Sequence, residues 1–438
     1  MNKFSIIASC FLISQLFYAQ VFNKQKLDAY LTTLENHNKV MGSFALSKDN
    51  QLMYQKTIGF SDVQNQQKAT VETPYRVGSV TKMLTATLVM KAVEEGKLKL
   101  DKKLAEFYPQ IPNADKISIK NLLRHRSGIF NVTQEYSYYE WNTKPQTKQS
   151  MIYRIASYES QFEPASKTKY SNSNYILLSY ILEDVYQSTF ADLLDKKIFQ
   201  PLGMNNSRLG TDVNFRQKEA RSYFFDKKWI EEATTDLSFV SGAGALISTT
   251  SDMLKFVNAL FEGKIISKQS LETMQTIEGG MGLGMFHLPF YDHKAFAHTG
   301  GIDKFTAILC YFPEEKIGYA RAVNGVAYTI NNVDIALLSA AFGKEYEIPV
   351  FEEQNNNLSL EKGLEGTYVS SELPIKIKVY YSGEQLLAQA TGQMPFPLTK
   401  KEEAIYVYSL ANIEIQFEID EYKLILKQGG GRFVFLKE

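Results

Sequence analysis

The most constraining feature of this sequence is the segment 79–82, Ser-Val-Thr-Lys, which stands directly before a long apolar stretch of helical character. That stretch runs over residues 83–93 and predicts a helix that begins at or near Ser79. Positions i and i+3 are neighbours on a helix surface, so the Lys82 amine is expected beside the Ser79 hydroxyl. A serine next to a proton acceptor is a candidate nucleophile.

This spacing alone is weak evidence for a nucleophile, because Ser166-Lys167-Thr168-Lys169 matches it as well. The second match follows Pro164 in a polar stretch with no apolar periodic run directly behind it, and it is predicted to be a loop. Two further groups of polar residues distinguish Ser79 from that match. They are Tyr170-Ser171-Asn172 and His298-Thr299-Gly300-Gly301.

In this order, these segments resemble the active-site motifs of one serine hydrolase superfamily. It contains the class C β-lactamases, the penicillin-binding DD-peptidases and related esterases and D-aminopeptidases. The resemblance covers about the first three quarters of the chain, and Ala165 stands where the family usually has glycine. The supporting segments are 122–129, 162–165, 170–178, 201–204, 242–249 and 282–285.

The resemblance implies three catalytic side chains and a positioning role for Asn172. Ser79 is expected to be the nucleophile, with Lys82 and Tyr170 as a pair that handles its proton. Lys82 can accept a proton only if burial lowers its pKa, and Tyr170 could ionise only beside a cation, so the choice of formal base stays open. Asn172 is expected to position Lys82 and the acyl side chain of the substrate.

The resemblance also implies a substrate-binding strand that begins at His298, Thr299 and Gly300, with an oxyanion hole formed by the backbone N–H groups of Ser79 and Gly301. The β-lactamases of this superfamily usually have lysine where this chain has His298. Lysine is a permanent cation for a substrate carboxylate, whereas histidine is mostly neutral near pH 7. The substitution favours a peptidase or esterase over an efficient β-lactamase.

The fold class implied is α/β (α+β) of the β-lactamase/transpeptidase type, in which an antiparallel sheet flanked by helices faces an all-helical lobe. Residues 24–38 predict a helix, and the apolar runs 43–46, 52–59, 295–297, 305–312 and 317–323 predict strands. The stretch from the nucleophile helix to about residue 235 is predicted to be mainly helical with loops.

The predicted domains are a hydrolase domain at 21–343, a linker at 344–357 and a C-terminal domain at 358–438. The C-terminal domain contains seven short runs typical of strands, at 366–369, 375–381, 385–390, 404–408, 413–419, 422–426 and 433–436. They predict a small antiparallel β-barrel that resembles the lipocalin-like domains appended to some members of the superfamily.

Residues 1–20 have the pattern of a secretory signal peptide, with a basic head, a short apolar run and Ala19 near the end. The run is shorter than the roughly 20 residues of a membrane span, so no transmembrane segment is expected in the mature chain. Secretion or export to the periplasm is the expectation, and a lipoprotein anchor at Cys10 is the alternative. Cys310 would then be the only cysteine of the mature chain and is predicted to be a core residue.

Lysine plus arginine and aspartate plus glutamate number 48 each, so no basic field is present to attract nucleic acid. The remaining histidines, His37, His125, His287 and His293, lack the spacing of metal ligands, and neither a metal nor a cofactor is predicted. No serine lies in the G-x-S-x-G elbow of an α/β-hydrolase. The oligomeric state stays open.

The sequence therefore predicts an exported serine hydrolase that forms an acyl-enzyme at Ser79. Its expected substrates are small molecules or peptides, cell-wall fragments among them, with a D-amino-acid peptide, amide or simple ester bond. The alternatives are a β-lactamase proper, and a penicillin-binding sensor or scaffold that is acylated without turnover.

Overall fold

The structure is a computed structural model that describes residues 22–216, 218–351, 363–373, 375–382, 385–391, 395–408, 411, 413–428 and 431–438. The predicted signal peptide lies outside these residues, as do positions 352–357 of the predicted linker and 358–362 of the predicted C-terminal domain. In the described ranges, no helix combines the length and the apolar character that crossing a bilayer requires.

The helices, in chain order, are α1 (Lys24–Asn36), α2 (Thr81–Glu94), α3 (Ile119–Leu123), α4 (Tyr138–Trp141), α5 (Lys148–Ala156), α6 (Asn172–Tyr186), α7 (Phe190–Leu194), α8 (Gln200–Leu202), α9 (Ser241–Gly244), α10 (Thr250–Phe261), α11 (Lys268–Gln275) and α12 (Ile330–Ala341).

The strands before the predicted linker are β1 (Val40–Lys48), β2 (Gln51–Ile58), β3 (Phe60–Asp62), β4 (Gln67–Lys68), β5 (Tyr75–Arg76), β6 (Arg208–Leu209), β7 (Tyr223–Asp226), β8 (Lys228–Glu231), β9 (Leu246–Ser248), β10 (Phe286–Phe290), β11 (His293–Ile302), β12 (Phe305–Phe312) and β13 (Ile317–Val326). The strands after it are β14 (Gly366–Val369), β15 (Lys376–Ser382), β16 (Gln385–Ala390), β17 (Phe396–Pro397), β18 (Thr399–Glu402), β19 (Ile405–Tyr408), β20 (Ile413–Glu418), β21 (Lys423–Gln428) and β22 (Gly431–Lys437).

The main sheet has the strand order β10-β11-β12-β13-β1-β2, and these strands pair antiparallel. Helices α1 and α12 cover one face and share an apolar core with it, whose members include Leu31, Phe44 and Leu337. Helix α10 contacts the other face, which joins the core of the helical region. The arrangement confirms the predicted fold class, and the five predicted sheet strands are all present.

Helix α2 lies in the middle of the helical core and contacts α6, α9, α11 and β11. Almost all its residues are buried, from Thr81 to Ala92. A helix buried on nearly all sides is surrounded by protein. The residues just before it lie between the sheet and the helical lobe.

The region predicted to be mainly helical also contains strands, and this prediction was incomplete. In that region, β6 pairs with β9, which also pairs with β5, and β7 and β8 form a hairpin that turns at Lys227, where φ is +58°. A single parallel bridge, Tyr223 to Gly325, joins the hairpin to the main sheet. The sequence of the hairpin contains no long apolar run that would predict its two strands of four residues each.

The C-terminal strands form one antiparallel sheet in the order β17-β16-β15-β14-β22-β21-β20-β19-β18. All seven predicted runs are strands, whereas β17 and β18 were missed. Leu398 alone separates β17 from β18, so one piece of chain forms both ends of the sheet and nearly closes it into a barrel. Its interior is filled by side chains such as Tyr368, Ile415 and Phe435.

The described part of the predicted linker, residues 344–351, lies against the apolar core that α1 and α12 share with the main sheet. Tyr346 contacts Tyr30 edge-on with ring centroids 6.0 Å apart, and Phe351 contacts Tyr328 at 5.7 Å. We therefore propose that the hydrolase unit continues to Phe351 rather than ending at Gly343.

Candidate active site

Ser79 lies in a single 3₁₀ turn, Gly78–Val80, that leads directly into α2. Gly78 has φ of +51°, and a β-carbon there would approach the backbone of Gly301 to 2.8 Å. Only glycine combines this backbone conformation with such a close approach. The turn therefore presses Ser79 against β11, and the predicted helix start is confirmed.

Lys82 is fully buried, one turn after Ser79. Its Nζ lies 3.0 Å from Ser79 Oγ, 2.8 Å from Asn172 Oδ1 and 2.6 Å from the carbonyl oxygen of Ala243. Burial lowers the pKa of Lys82 well below its ordinary value. The amine therefore has three close polar neighbours in a site that disfavours its charged form.

Asn172 is the first residue of α6, and a polar network that sequence reasoning missed holds it in place. Its Nδ2 donates to Thr133 Oγ1 at 2.9 Å, and its backbone N–H donates to Asn131 Oδ1 at 3.1 Å. Thr133 Oγ1 donates in turn to Asn131 Oδ1 at 3.0 Å. With the amide nitrogen engaged by Thr133, the amide oxygen is directed at Lys82.

Tyr170 lines the cavity together with Ser79. Burial raises the pKa of the Tyr170 phenol, and the nearby Ser79 side chain opposes that effect only in part. Lys82 Nζ lies 4.9 Å from the centroid of the Tyr170 ring. Because 37% of Tyr170 is exposed, the phenol also borders the open cleft.

His125 is a third residue that sequence reasoning did not assign to the site. Its ring stacks on Tyr170 with centroids 4.2 Å apart, and its Nδ1 accepts a hydrogen bond from the Ser171 N–H at 3.1 Å. Burial is the main cause that lowers the pKa of His125 well below its ordinary value. The only signal was its place in the segment 122–129, which pointed to the family but to no contact.

Strand β11 forms the third wall of the site. Its pairing with β10 ends at Ala297, so from His298 onward only the edge facing β12 is paired within the sheet. A β-carbon at Gly300 would overlap the Val77 carbonyl. The structure thus brings His298, Thr299, Gly300 and Gly301 beside the Ser79 turn.

His298 is buried, and its ring is neutral in this environment. Its Nδ1 lies 2.6 Å from the Thr299 carbonyl oxygen and donates to it, which leaves Nε2 as an acceptor without a partner. Burial is the main cause that lowers the pKa of His298 to about 3. This side chain is therefore no cation at neutral pH.

These residues enclose a cavity of about 290 Å³ lined by Ser79, Tyr170, Met281, Phe286, His298, Thr299, Gly300 and Gly301. None of these lining residues carries a charge at neutral pH, and Met281 and Phe286 add apolar surface to the lining. The competing serine, Ser166, lies in an exposed turn and donates to the Glu163 carbonyl at 2.6 Å. Its prediction as a loop is confirmed.

Comparison with known proteins gives the family. The model described as Beta-lactamase matches residues 27–339. The chain belongs to the β-lactamase family. Since homologues with this fold are serine hydrolases, the chain is an enzyme of that class.

Three similar proteins extend this result. A penicillin-binding protein of Bacillus subtilis (strain 168) is 22% identical over 91% of this chain and 95% of its own. The octameric penicillin-binding protein homologue from Pyrococcus abyssi superimposes with a TM-score of 0.66 and 26% identity, covering 93% of this chain and 99% of that one. The D-amino acid amidase from Ochrobactrum anthropi SV3 has a TM-score of 0.65 and 25% identity, covering 72% of this chain and 99% of its own.

Proposed function

We propose that this β-lactamase-family enzyme hydrolyses D-amino-acid peptides or amides, or simple esters, through an acyl-enzyme on Ser79. The observation that carries the proposal is the position of Lys82 among its three neighbours. The Ala243 carbonyl and Asn172 Oδ1 accept hydrogen bonds but cannot donate them. A neutral amine that gives its two hydrogens to these oxygens directs its lone pair at the Ser79 hydroxyl.

The proposed mechanism follows from that arrangement. Ser79 Oγ attacks the substrate carbonyl carbon while its proton passes to Lys82 Nζ, and the carbonyl oxygen becomes an oxyanion held by the N–H groups of Ser79 and Gly301. Collapse of this tetrahedral intermediate breaks the bond to the leaving group. The leaving group takes a proton from Tyr170, and Lys82 then gives its proton to Tyr170. Water then attacks the acyl-enzyme, with the same groups removing its proton and returning one to Ser79.

Tyr170 serves better as a proton donor than as the initial base. The raised pKa of its phenol keeps it protonated at neutral pH, whereas the lowered pKa of Lys82 favours the free amine. We therefore assign the formal base to Lys82 and the proton on the leaving group to Tyr170.

The lining of the cavity supports amides and esters over β-lactams. A β-lactam carries a carboxylate, and the position where lysine is usual in the β-lactamases of the superfamily holds the neutral His298. Met281 and Phe286 favour an apolar group next to the reacting carbonyl. One similar protein, the Ochrobactrum enzyme, is named as a D-amino acid amidase, which supports the D-amino-acid choice.

The cell compartment is a separate part of the proposal. We infer secretion or export to the periplasm from the signal-peptide pattern of residues 1–20, with cell-wall fragments as accessible substrates. Amino-terminal sequencing of the protein recovered from its native host tests this inference. A mature chain that starts near Val21 supports it, and one that keeps residues 1–20 contradicts it.

The central experiment compares the wild-type chain with Ser79→Ala and Ser166→Ala. Each is assayed on a D-aminoacyl anilide, a D-Ala-D-Ala peptide, a short-chain p-nitrophenyl ester and nitrocefin, and each is labelled with a fluorescent phosphonate. We expect Ser79→Ala to lose hydrolysis and labelling, and Ser166→Ala to keep both. Labelling that survives in Ser79→Ala refutes the nucleophile, and labelling of the wild type without turnover of any substrate indicates a sensor.

A further inference from the structure

Two buried charged side chains flank the backbone segments that carry the proposed oxyanion hole. Arg76 precedes Ser79 by three residues, and Asp303 follows Gly301 by two. We propose that Arg76 and Asp303 are positioning residues that hold the N–H groups of Ser79 and Gly301 at the spacing an oxyanion requires. This inference rests on the proposed function, because the oxyanion hole has a role only if Ser79 is acylated.

Arg76 and Asp303 are connected through the backbone of one residue, Thr235. Arg76 Nη1 donates to the Thr235 carbonyl oxygen at 2.7 Å, and the Thr235 N–H donates to Asp303 Oδ1 at 3.0 Å. The charged groups themselves are 3.8 Å apart. The Thr235 backbone thus forms a bridge between the strand before the nucleophile and the turn after β11.

Further contacts fix the guanidinium of Arg76 in one orientation. Its Nη2 donates to the Val213 carbonyl oxygen at 3.0 Å, and the Phe215 ring lies 4.6 Å from its Cζ. Arginine presents its donors in a rigid planar fork, so two bonds to two carbonyls define both its position and its tilt. A lysine has no such fork.

The backbone segments that carry Ser79 and Gly301 contact each other near the residues that the Thr235 bridge connects. Gly300 contacts the Val77 carbonyl, and Gly78 contacts Gly301, with no room for a β-carbon at either glycine. Backbones this close transmit a shift of one segment to the other. A clamp at Arg76 and Asp303 therefore controls the separation of the two N–H donors, although neither side chain touches the cavity.

Fold stability alone gives little reason to keep this pair. The side chains are only 1% and 4% exposed, and Arg76 Nε and Asp303 Oδ2 have no hydrogen-bond partner. Two buried charges cost several kcal/mol of desolvation, and apolar residues of similar volume are often as stabilising. Asp303 also has φ of +54°, a strained conformation for a residue other than glycine. Such costs typically persist where geometry serves function.

The test measures how strongly catalysis depends on the oxyanion hole. A short-chain aryl ester and its thiono analogue differ only in a C=S group, whose sulfur accepts hydrogen bonds poorly, so the ratio of their kcat/KM values reports on the two donors. Removal of one oxyanion donor typically lowers kcat by about 100-fold to 1000-fold. For a displaced donor in Asp303→Ala, we expect the oxo-ester rate to fall by about tenfold to 100-fold and the thiono rate much less.

Two further variants separate positioning from folding. Asp303→Asn keeps an acceptor for the Thr235 N–H and should retain most of the oxo-to-thiono ratio, whereas Arg76→Lys loses the fork and should reduce that ratio. The matched control is Asp334→Ala, which breaks another buried pair, with Arg321 Nε 2.7 Å from Asp334 Oδ1. It should lower thermal stability and leave the ratio unchanged.

The outcomes separate this inference from the proposed function. A wild-type chain that is never acylated at Ser79 refutes the proposed function. A wild-type chain that is acylated, with an unchanged ratio in folded Asp303→Ala and in Arg76→Lys, overturns the positioning role.

Discussion

At the scale of single residues, the candidate site depends on one lysine, Lys82, whose charged form is disfavoured by burial. Lys82 is enclosed by Ser79, Asn172 and the Ala243 carbonyl, and burial is the only cause that shifts its pKa. A lysine surrounded by acceptors without a carboxylate is favourable for proton transfer and unfavourable for stability. Function and stability therefore oppose each other at this one position.

The first prediction concerns Lys82→Met, which should be inactive and more stable than the wild type near pH 7. The unfolded wild-type chain carries a Lys82 proton below pH 10.5 that the folded chain binds only below its lowered pKa. Stability of the wild type therefore rises with pH in that window, by up to about 1.4 kcal/mol per pH unit relative to the variant. Denaturant unfolding at pH 7 and pH 9 measures the difference. An advantage of the variant that does not shrink at pH 9 contradicts the buried neutral amine.

The second prediction concerns the pH profile and His298. Because the pKa of His298 is lowered to about 3, its protonation should produce no change in kcat/KM for a neutral ester between pH 5 and 8. Unfolded chains protonate this histidine near pH 6.5, so acidification from 6.5 toward 3 should cost stability. The measurement compares rate profiles of the wild type and His298→Gln. An inflection near pH 6.5 that disappears in the variant would show that His298 titrates in the ordinary range.

At the scale of elements, the sequence predicted those parts whose signal is local. The start of α2 and five of the six strands in the main sheet order have apolar runs that identify them, whereas β10 was missed. The hairpin β7–β8, held to the main sheet by one bridge, and β17 and β18, with two and four residues, have no such run. Asn131, Thr133 and His125 were missed because they act through partners some 40 residues away in the chain.

The third prediction concerns Ala165, the residue that replaces the usual family glycine. Its φ is +67°, which costs an alanine about 1 to 2 kcal/mol, more than the extra entropy glycine loses on folding. Ala165→Gly should therefore stabilise the protein by about 0.5 to 1 kcal/mol, measured by thermal or denaturant unfolding. The control is Ala191→Gly inside α7, which should destabilise it, and an equal loss at both positions would contradict the prediction.

At the scale of the whole molecule, the described residues form three separate apolar cores, of which only the first two contain residues of the main sheet. All residues of the candidate site precede β12, and the C-terminal barrel has its own filled interior. We therefore propose that the barrel influences the choice of substrate and contributes no catalytic group.

The fourth prediction tests this division by truncation. A chain ending after Phe351 should fold and be acylated by a small activated ester at a rate near that of the full chain. A chain ending after Gly343 loses the packing of Tyr346 and Phe351 and should be less stable by about 1 to 3 kcal/mol. Unfolding curves and acylation rates of both chains give the comparison. A folded chain ending at Phe351 that cannot be acylated would mean that the barrel completes the site.

In both large sheets, strands far apart in the chain are hydrogen-bonded neighbours: β1 with β13, where Val40 faces Val326, and β14 with β22, where Tyr368 faces Lys437. During translation, the two strands of each pair are synthesised at different times. The nascent chain must therefore keep the edge of β1 unpaired until β13 has emerged, and exposed strand edges invite association with other chains. Assembly of each sheet is a late event, and until then the growing polypeptide is a natural client for a chaperone.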